Sequence, residues 1–284
     1  SSAQFLSPPM MSSSAPPQLS GARPASVKRT LSEAWALRRV WWFTATARTR
    51  ARFVRTLLGS FWLGLSNLFS IAVLASVYRY VFKVENFSEY VVLLGLGLVI
   101  WNSISAAVTG APNLFEHNQS HVHNTNLNPV FYPLEEWAFQ MQTFVQSFLM
   151  VVVALSYFQQ TLLLHLLVSG WLPILNLFLF LFWFPLLVCL LGAHFRDLYQ
   201  LVPIVMQLVF LLSPILYKKE NLGPSVWIAN FNPFYRVLSP IRHTLMTGEL
   251  QWGVGLILLM VNVFGVWYSV RRLNHDRANL PFLI

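Results

Sequence analysis

Apolar and polar positions alternate along this chain on the scale of a bilayer rather than of a helix turn. From Trp137 to Phe195 there are 59 consecutive residues without Asp, Glu, Lys or Arg, while roughly 20 apolar residues suffice for one crossing. Polar Gln159, Gln160 and Thr161 divide that run, which therefore reads as a helical hairpin turning at the far membrane face. Further uncharged runs are Thr56–Tyr78, Tyr90–Phe115, Leu198–Tyr217 and Leu250–Val270, each 20 residues or longer. The pattern predicts an all-α integral membrane protein with six crossings, at about 57–82, 90–112, 135–158, 162–194, 198–217 and 250–271.

Charge sets the expected orientation, because short cytoplasmic segments retain Lys and Arg. Thirteen basic residues fall in segments that an even number of crossings puts on the side of the termini, nine of them between Arg23 and Arg55, and six fall opposite. Both termini are expected in the cytoplasm. The net charge of +9 is then an orientation signal and an attraction to anionic headgroups, and no aromatic-interleaved basic platform points to nucleic acid. At 56% hydrophobic and 10% charged residues the chain lies far from a soluble domain. Cys189, inside the fourth crossing, has no intrachain partner and reads as a small buried hydrophobe.

Residues 1–30 are rich in Ser, Pro and Ala and read as a flexible cytoplasmic tail without the apolar core of a signal peptide, with Met10 and Met11 as candidate starts. From Leu31 to Arg55 aromatics mix with arginines, as in an interfacial helix. Ser32 is its candidate N-cap, and Leu31, Trp35, Trp42 and Phe53 share a stripe at 100° per residue. A plain topology-fixing basic flank is the alternative. Residues 273–284 read as a second cytoplasmic tail.

Three loops stand out. Pro112–Glu136 is long for a helix connection and carries Glu116, Glu135, Glu136 and three histidines, which suits a short helix lying against a cytoplasmic partner. His117 and His121 form an i, i+4 pair, but His123 points elsewhere and no Cys joins them, so no metal site is expected. Arg196-Asp197 interrupts the apolar sequence after the fourth crossing, as an anchor or a coupling element. Lys218–Glu249 is too apolar for a free loop and too short for another pair of crossings. Two short re-entrant helices on the outer side fit it, with Trp227, Phe231, Phe234 and Tyr235 forming a gate. Arg236 and Arg242 would there attract phosphate or acidic sugars, or snorkel to headgroups. Trp101, Phe148, Tyr157, Trp183 and Tyr199 are candidates for an aromatic lining able to stack on sugar rings, although most membrane aromatics are packing or interface anchors.

There is no Gly-Lys dipeptide and hence no phosphate-binding P-loop, and no buried carboxylate is expected in the spans, which argues against proton or sodium coupling through midplane acids. Energy, if used, comes from a partner.

Several motifs stand in a telling order: RARFVRTLLGSFWLGLSNLF at 50–69, Arg196-Asp197, LLSPILY at 211–217, Asn232-Pro233, and SPIRHTLMTG at 239–248. On six spans they resemble the membrane subunits of ABC-2-type exporters, in the capsule, O-antigen and teichoic-acid polysaccharide branch. The resemblance implies a bacterial inner-membrane homodimer bound to two cytoplasmic ATPase subunits that carry ATP and Mg, this chain itself being no enzyme and holding no cofactor. It implies a lipid-linked glycan passing between the two copies, with periplasmic export components as possible further partners. The interfacial helix and the Pro112–Glu136 loop would contact the ATPase, which makes Arg38, Arg39, Arg48, Glu116, His117, Glu135, Glu136, Arg196 and Asp197 the candidate coupling residues. About Leu222–Thr247 would form the outer gate. A drug-type ABC-2 exporter and a membrane enzyme acting on lipid-linked sugars are the alternative readings, the second lacking any convergent set of acids and bases.

Overall fold

The computed structural model describes residues 25–59, 61–124 and 127–284. The expected N-terminal tail lies mostly outside them, and its last residues already begin a helix. Helix α1 (Val27–Ala36) starts at Ser26, whose Oγ accepts from the Arg29 N–H, and not at Ser32. The interfacial element is two helices. The chain breaks at Leu37, which satisfies the Glu33 and Trp35 carbonyls before α2 (Arg38–Phe53) begins.

Among the described residues five helices are long and apolar enough to cross a membrane: α3 (Phe61–Phe82), α4 (Phe87–Thr109), α7 (Phe131–Leu155), α9 (Trp171–His194) and α13 (Trp252–Asp276). Helix α4 is the hub, mostly buried between α3, α7, α9, α10 (Leu198–Leu212) and α12 (Pro233–Thr247). Asn86 caps its start by accepting from the Glu89 N–H.

The fifth crossing differs from the continuous run read over 198–217. Helix α10 (Leu198–Leu212) has 15 residues, about 22 Å at the usual rise, less than the roughly 30 Å hydrocarbon core. It stops before Pro214, and Ser213 turns to extended backbone. Yet the strand of chain goes on. Helix α10 begins beside Thr109 of α4 and passes Asn102. Phe210 then meets Trp101, the Leu216 carbonyl accepts from Tyr90, and Lys218 pairs with Glu89. The segment thus runs the whole length of α4 in the opposite sense, partly helical and partly extended. Non-helical backbone at such depth needs protein partners for its carbonyls, and it has them, as described below.

The hairpin also departs from the expected 135–158 and 162–194. After α7 the chain forms a separate short helix, α8 (Leu162–Val168), and breaks at Ser169-Gly170 before α9. Helix α8 is docked, not free: Gln159 donates to the Met246 carbonyl at 2.9 Å, His165 Nδ1 to Leu245 at 2.7 Å, and Ser169 to Gly248 at 3.1 Å.

The termini of the bundle share one end, here called basal, since Thr30 of α1 hydrogen-bonds Asn274 of α13 at 2.9 Å. The basal end also holds the short helices α5 (Leu114–His117) and α6 (Gln119–Asn124). The predicted C-terminal tail is partly structured: α14 (Leu280–Leu283) packs on α6 and α9. A separate apolar cluster there gathers Phe115, Leu186, Cys189, Leu273 and Leu280. Glu33 on α1 accepts from Asn128 at 3.1 Å, and this bond, with Arg29 beside it, holds its carboxyl below the usual range. A depressed carboxylate stabilises the fold above its unfolded pKa, and that share fades as pH falls through the folded value. Acidification through the carboxylate range is therefore expected to loosen α1, read as faster amide exchange in residues 27–36. Asn128→Ala should flatten that pH dependence.

Candidate functional site

At the distal end, opposite the termini, the segment expected to re-enter is built of short helices. A 3₁₀ stretch over Lys219–Ser225 leads into α11 (Val226–Phe231) and α12 (Pro233–Thr247). Asn232 caps α12 by accepting from the Phe234 and Tyr235 N–H groups, Pro233 fills the first turn, where no N–H is needed, and Gly248 ends it in the left-handed region. The same Asn232 donates to Ser213 Oγ at 2.5 Å, tying α12 to the break in the fifth crossing.

Arg242 completes that tie. Buried to 5% exposure, its guanidinium donates to the Pro214 carbonyl at 2.8 Å, Ile215 at 3.3 Å and Leu93 at 3.4 Å. The Pro214 and Ile215 carbonyls are the ones left free where α10 stops, Leu93 belongs to α4, and one fork reaches all three because guanidinium donors are planar and divergent. Gly97 leaves the room: a Cβ there would stand 2.6 Å from Arg242 Nη1. A cavity of about 700 Å³ opens beside this hub, lined among others by Lys218, Lys219, Glu220 and His243.

At the basal end α2 lies across the start of α7. Arg48 donates to Glu135 at 3.0 Å and to Glu136, and its guanidinium sits 3.9 Å over the Phe139 ring. Gln142 accepts from Thr49 and donates to Thr46, each at 3.0 Å, and Trp41 meets Trp137 edge to face.

Between the two ends, the outside of the bundle is not uniformly apolar. A groove of about 270 Å³ across α3, α4 and α7 is lined by Ser66, Asn67, Ser70, Asn102, Ser103, Thr143 and Ser147, with Arg52 the one charged residue among the described residues that line it. Asn102 also lines a second hollow against α10, with Ser105, Thr109 and Gln207. Asn102 donates to Asn67 Oδ1 at 2.8 Å.

Residues 42–246 match the model of the ABC-2 type transporter family. The chain belongs to that family. It is also 23% identical over 215 residues to the O-antigen export system permease protein RfbA of Klebsiella pneumoniae, covering 75% of this chain and 83% of the relative. This ABC-2 chain is accordingly a multi-pass membrane component of a transporter rather than an enzyme.

The ABC-2 bundle sorts the sequence candidates. Of the proposed coupling residues, Arg38, Arg39, His117, Arg196 and Asp197 are exposed. Glu116 is half-buried and interacts with Tyr199. Arg48, Glu135 and Glu136 are brought together, but on one another. Of the gate residues, Trp227 and Phe231 are exposed, while Phe234 and Tyr235 are buried. Arg236 is exposed and donates to the Asn230 carbonyl. Arg242 serves backbone carbonyls instead of facing outward.

The five aromatic lining candidates do not converge. Trp101 is buried between Phe210 and Phe234, and Phe148 is buried against Phe144. Trp183 ties α9 to α13 through Asn262 at 2.9 Å, where Gly265 makes space for its ring. Tyr157 is exposed at the distal turn, and Tyr199 lies at the basal end. The groove residues went unnoticed in the sequence although a signal existed. Ser66, Asn67 and Ser70, and likewise Gln140, Thr143 and Ser147, recur at helical spacing on otherwise apolar spans.

Proposed function

We propose that this chain is the membrane subunit of an ATP-driven exporter of a lipid-linked polysaccharide in the bacterial inner membrane, with both termini cytoplasmic. Two copies would enclose the pathway and two separate ATPase subunits, holding ATP and Mg, would drive it. The observation carrying this reading is the polar groove left open on the outside of one copy. Exposed amides and hydroxyls at membrane depth are costly against lipid, and a second copy facing α3, α4 and α10 turns the same surface into a wet conduit. The O-antigen relative supplies the cargo class.

The basal end suits the motor. Its exposed Arg38, Arg39, His117, Arg196 and Asp197 would meet the ATPase, and the α2–α7 clasp would pass rigid displacement to the spans. At the distal end α11 and α12 would gate the exit. Removing the chain from its host should leave glycan accumulating inside the cell and absent from its surface, as read by surface-specific immunoblotting, and re-expression should restore it. Undiminished surface glycan would overturn the proposal.

A further inference from the structure

We infer that the groove across α3, α4 and α7 is a track of hydrogen-bond acceptors that receives the hydroxyl groups of an uncharged glycan segment and disfavours acidic ones. The inference rests on the polysaccharide reading above and names the class of sugar.

The groove's hydroxyls have already placed their protons. Ser66 donates to the Leu63 carbonyl, Ser70 to Ser66, Ser103 to Val99, Thr143 to Gln140 and Ser147 to Phe144, all at 3.0 to 3.3 Å. Each is a bond back to the preceding turn of its own helix, the usual resort of a hydroxyl on an apolar span. A hydroxyl has one proton and two lone pairs, so what it turns to the groove is acceptor. The amides add both kinds of group: Asn102 donates to Asn67, Asn67 to the Leu63 carbonyl and Gln140 to Glu136, which uses one of the two N–H groups of each and leaves the other beside the Asn102 and Gln140 oxygens.

A surface on which hydroxyl lone pairs outnumber the amide N–H groups takes mostly donors from its ligand. Sugar hydroxyls supply them, whereas carboxylate and phosphate bring only lone pairs of their own and negative charge. Arg52 is the lone charge among the described lining residues, too little to neutralise a uronic acid on every residue of a passing chain. The groove volume of about 270 Å³ suits a short glycan segment, and its shallow open form suits a polymer that must slide.

The test uses the full chain in lipid nanodiscs with Ser70→Cys or Asn102→Cys, the native Cys189 being buried and serving as background. Phe69→Cys, at an exposed apolar position one residue away, is the lipid-facing control. A charged, water-soluble methanethiosulfonate should modify the groove thiols about tenfold faster than the control, since reaction needs a hydrated thiolate. Maltohexaose should slow the groove reaction severalfold, and hexagalacturonate of equal length should not. Labelling no faster than Phe69→Cys, protection by neither sugar, or protection by the acidic sugar as strong as by the neutral one would each overturn the inference. The assay reads occupancy and not export, so it can fail while the surface-glycan phenotype stands, and the reverse.

Discussion

Arg242→Met is expected to be the most damaging single substitution in the distal half of the bundle. Methionine fills the volume but leaves the Pro214 and Ile215 carbonyls without the donors they now have, while the Leu93 carbonyl keeps its bond within α4. Each buried polar group stranded in this way costs about 1–3 kcal/mol, so the variant should lose several kcal/mol and with them the tie between α12 and the fifth crossing. Arg242→Lys keeps the charge but not the planar fork and should fall in between. Gly97→Ala should move stability in the same direction by less, because its methyl displaces the guanidinium rather than removing it. Thermal unfolding of the purified chain in nanodiscs ranks the three. A midpoint for Arg242→Met equal to that of the unaltered chain would show that water or a neighbouring side chain takes over the carbonyls.

Arg48→Ala is expected to be the most damaging change at the basal end, by a different route. Glu135 and Glu136 are adjacent, only 12% and 24% exposed, and share one cation. Removing it leaves two carboxylates in partial burial with no cation opposite, only the Gln140 amide beside Glu136. Breaking a fully buried pair costs about 3–5 kcal/mol, and the 40% exposure of Arg48 lowers that here to about 1–3 kcal/mol. The prediction carries its own control. Glu135→Gln and Glu136→Gln together remove the repulsion and should restore most of the loss in an Arg48→Ala background. Hydrogen exchange across Arg38–Phe53 gives the readout, with α2 opening in the single variant and closing again in the triple. Protection of α2 unchanged by Arg48→Ala would mean that the Gln142 bonds and the Trp41–Trp137 contact hold the helix alone.

These two sites show where sequence is and is not enough. The long spans were legible because a helix needs only length and apolarity to cross, and α3, α4, α7, α9 and α13 satisfy both. The fifth crossing was legible as a run of apolar residues but not as a shape. The effect of Pro214 on α10 depends on whether Arg242, 28 positions on, is there to satisfy the open backbone. The basal clasp was hidden for a similar reason: Arg48 lies 87 residues before Glu135, and a list of exposed-looking charges cannot say which ones face each other. The aromatic candidates scattered for another reason. Trp101 and Phe148 are equally apolar in a pore or in a core, so residue type alone could not separate the two. Polar residues on an apolar span discriminate better, because burying or lipid-exposing them has a cost that aromatics escape. Ser66 and Asn102 carried the signal that the aromatic rings did not.

The meeting of Thr30 with Asn274 has a practical reach. Because entry and exit of one bundle lie side by side, the last helix of a first copy can be joined to the first helix of a second by a flexible linker that never enters lipid. A tandem single-chain version would present each half in the same orientation, and a defect could be engineered into one half alone, which shows whether a lone intact track suffices.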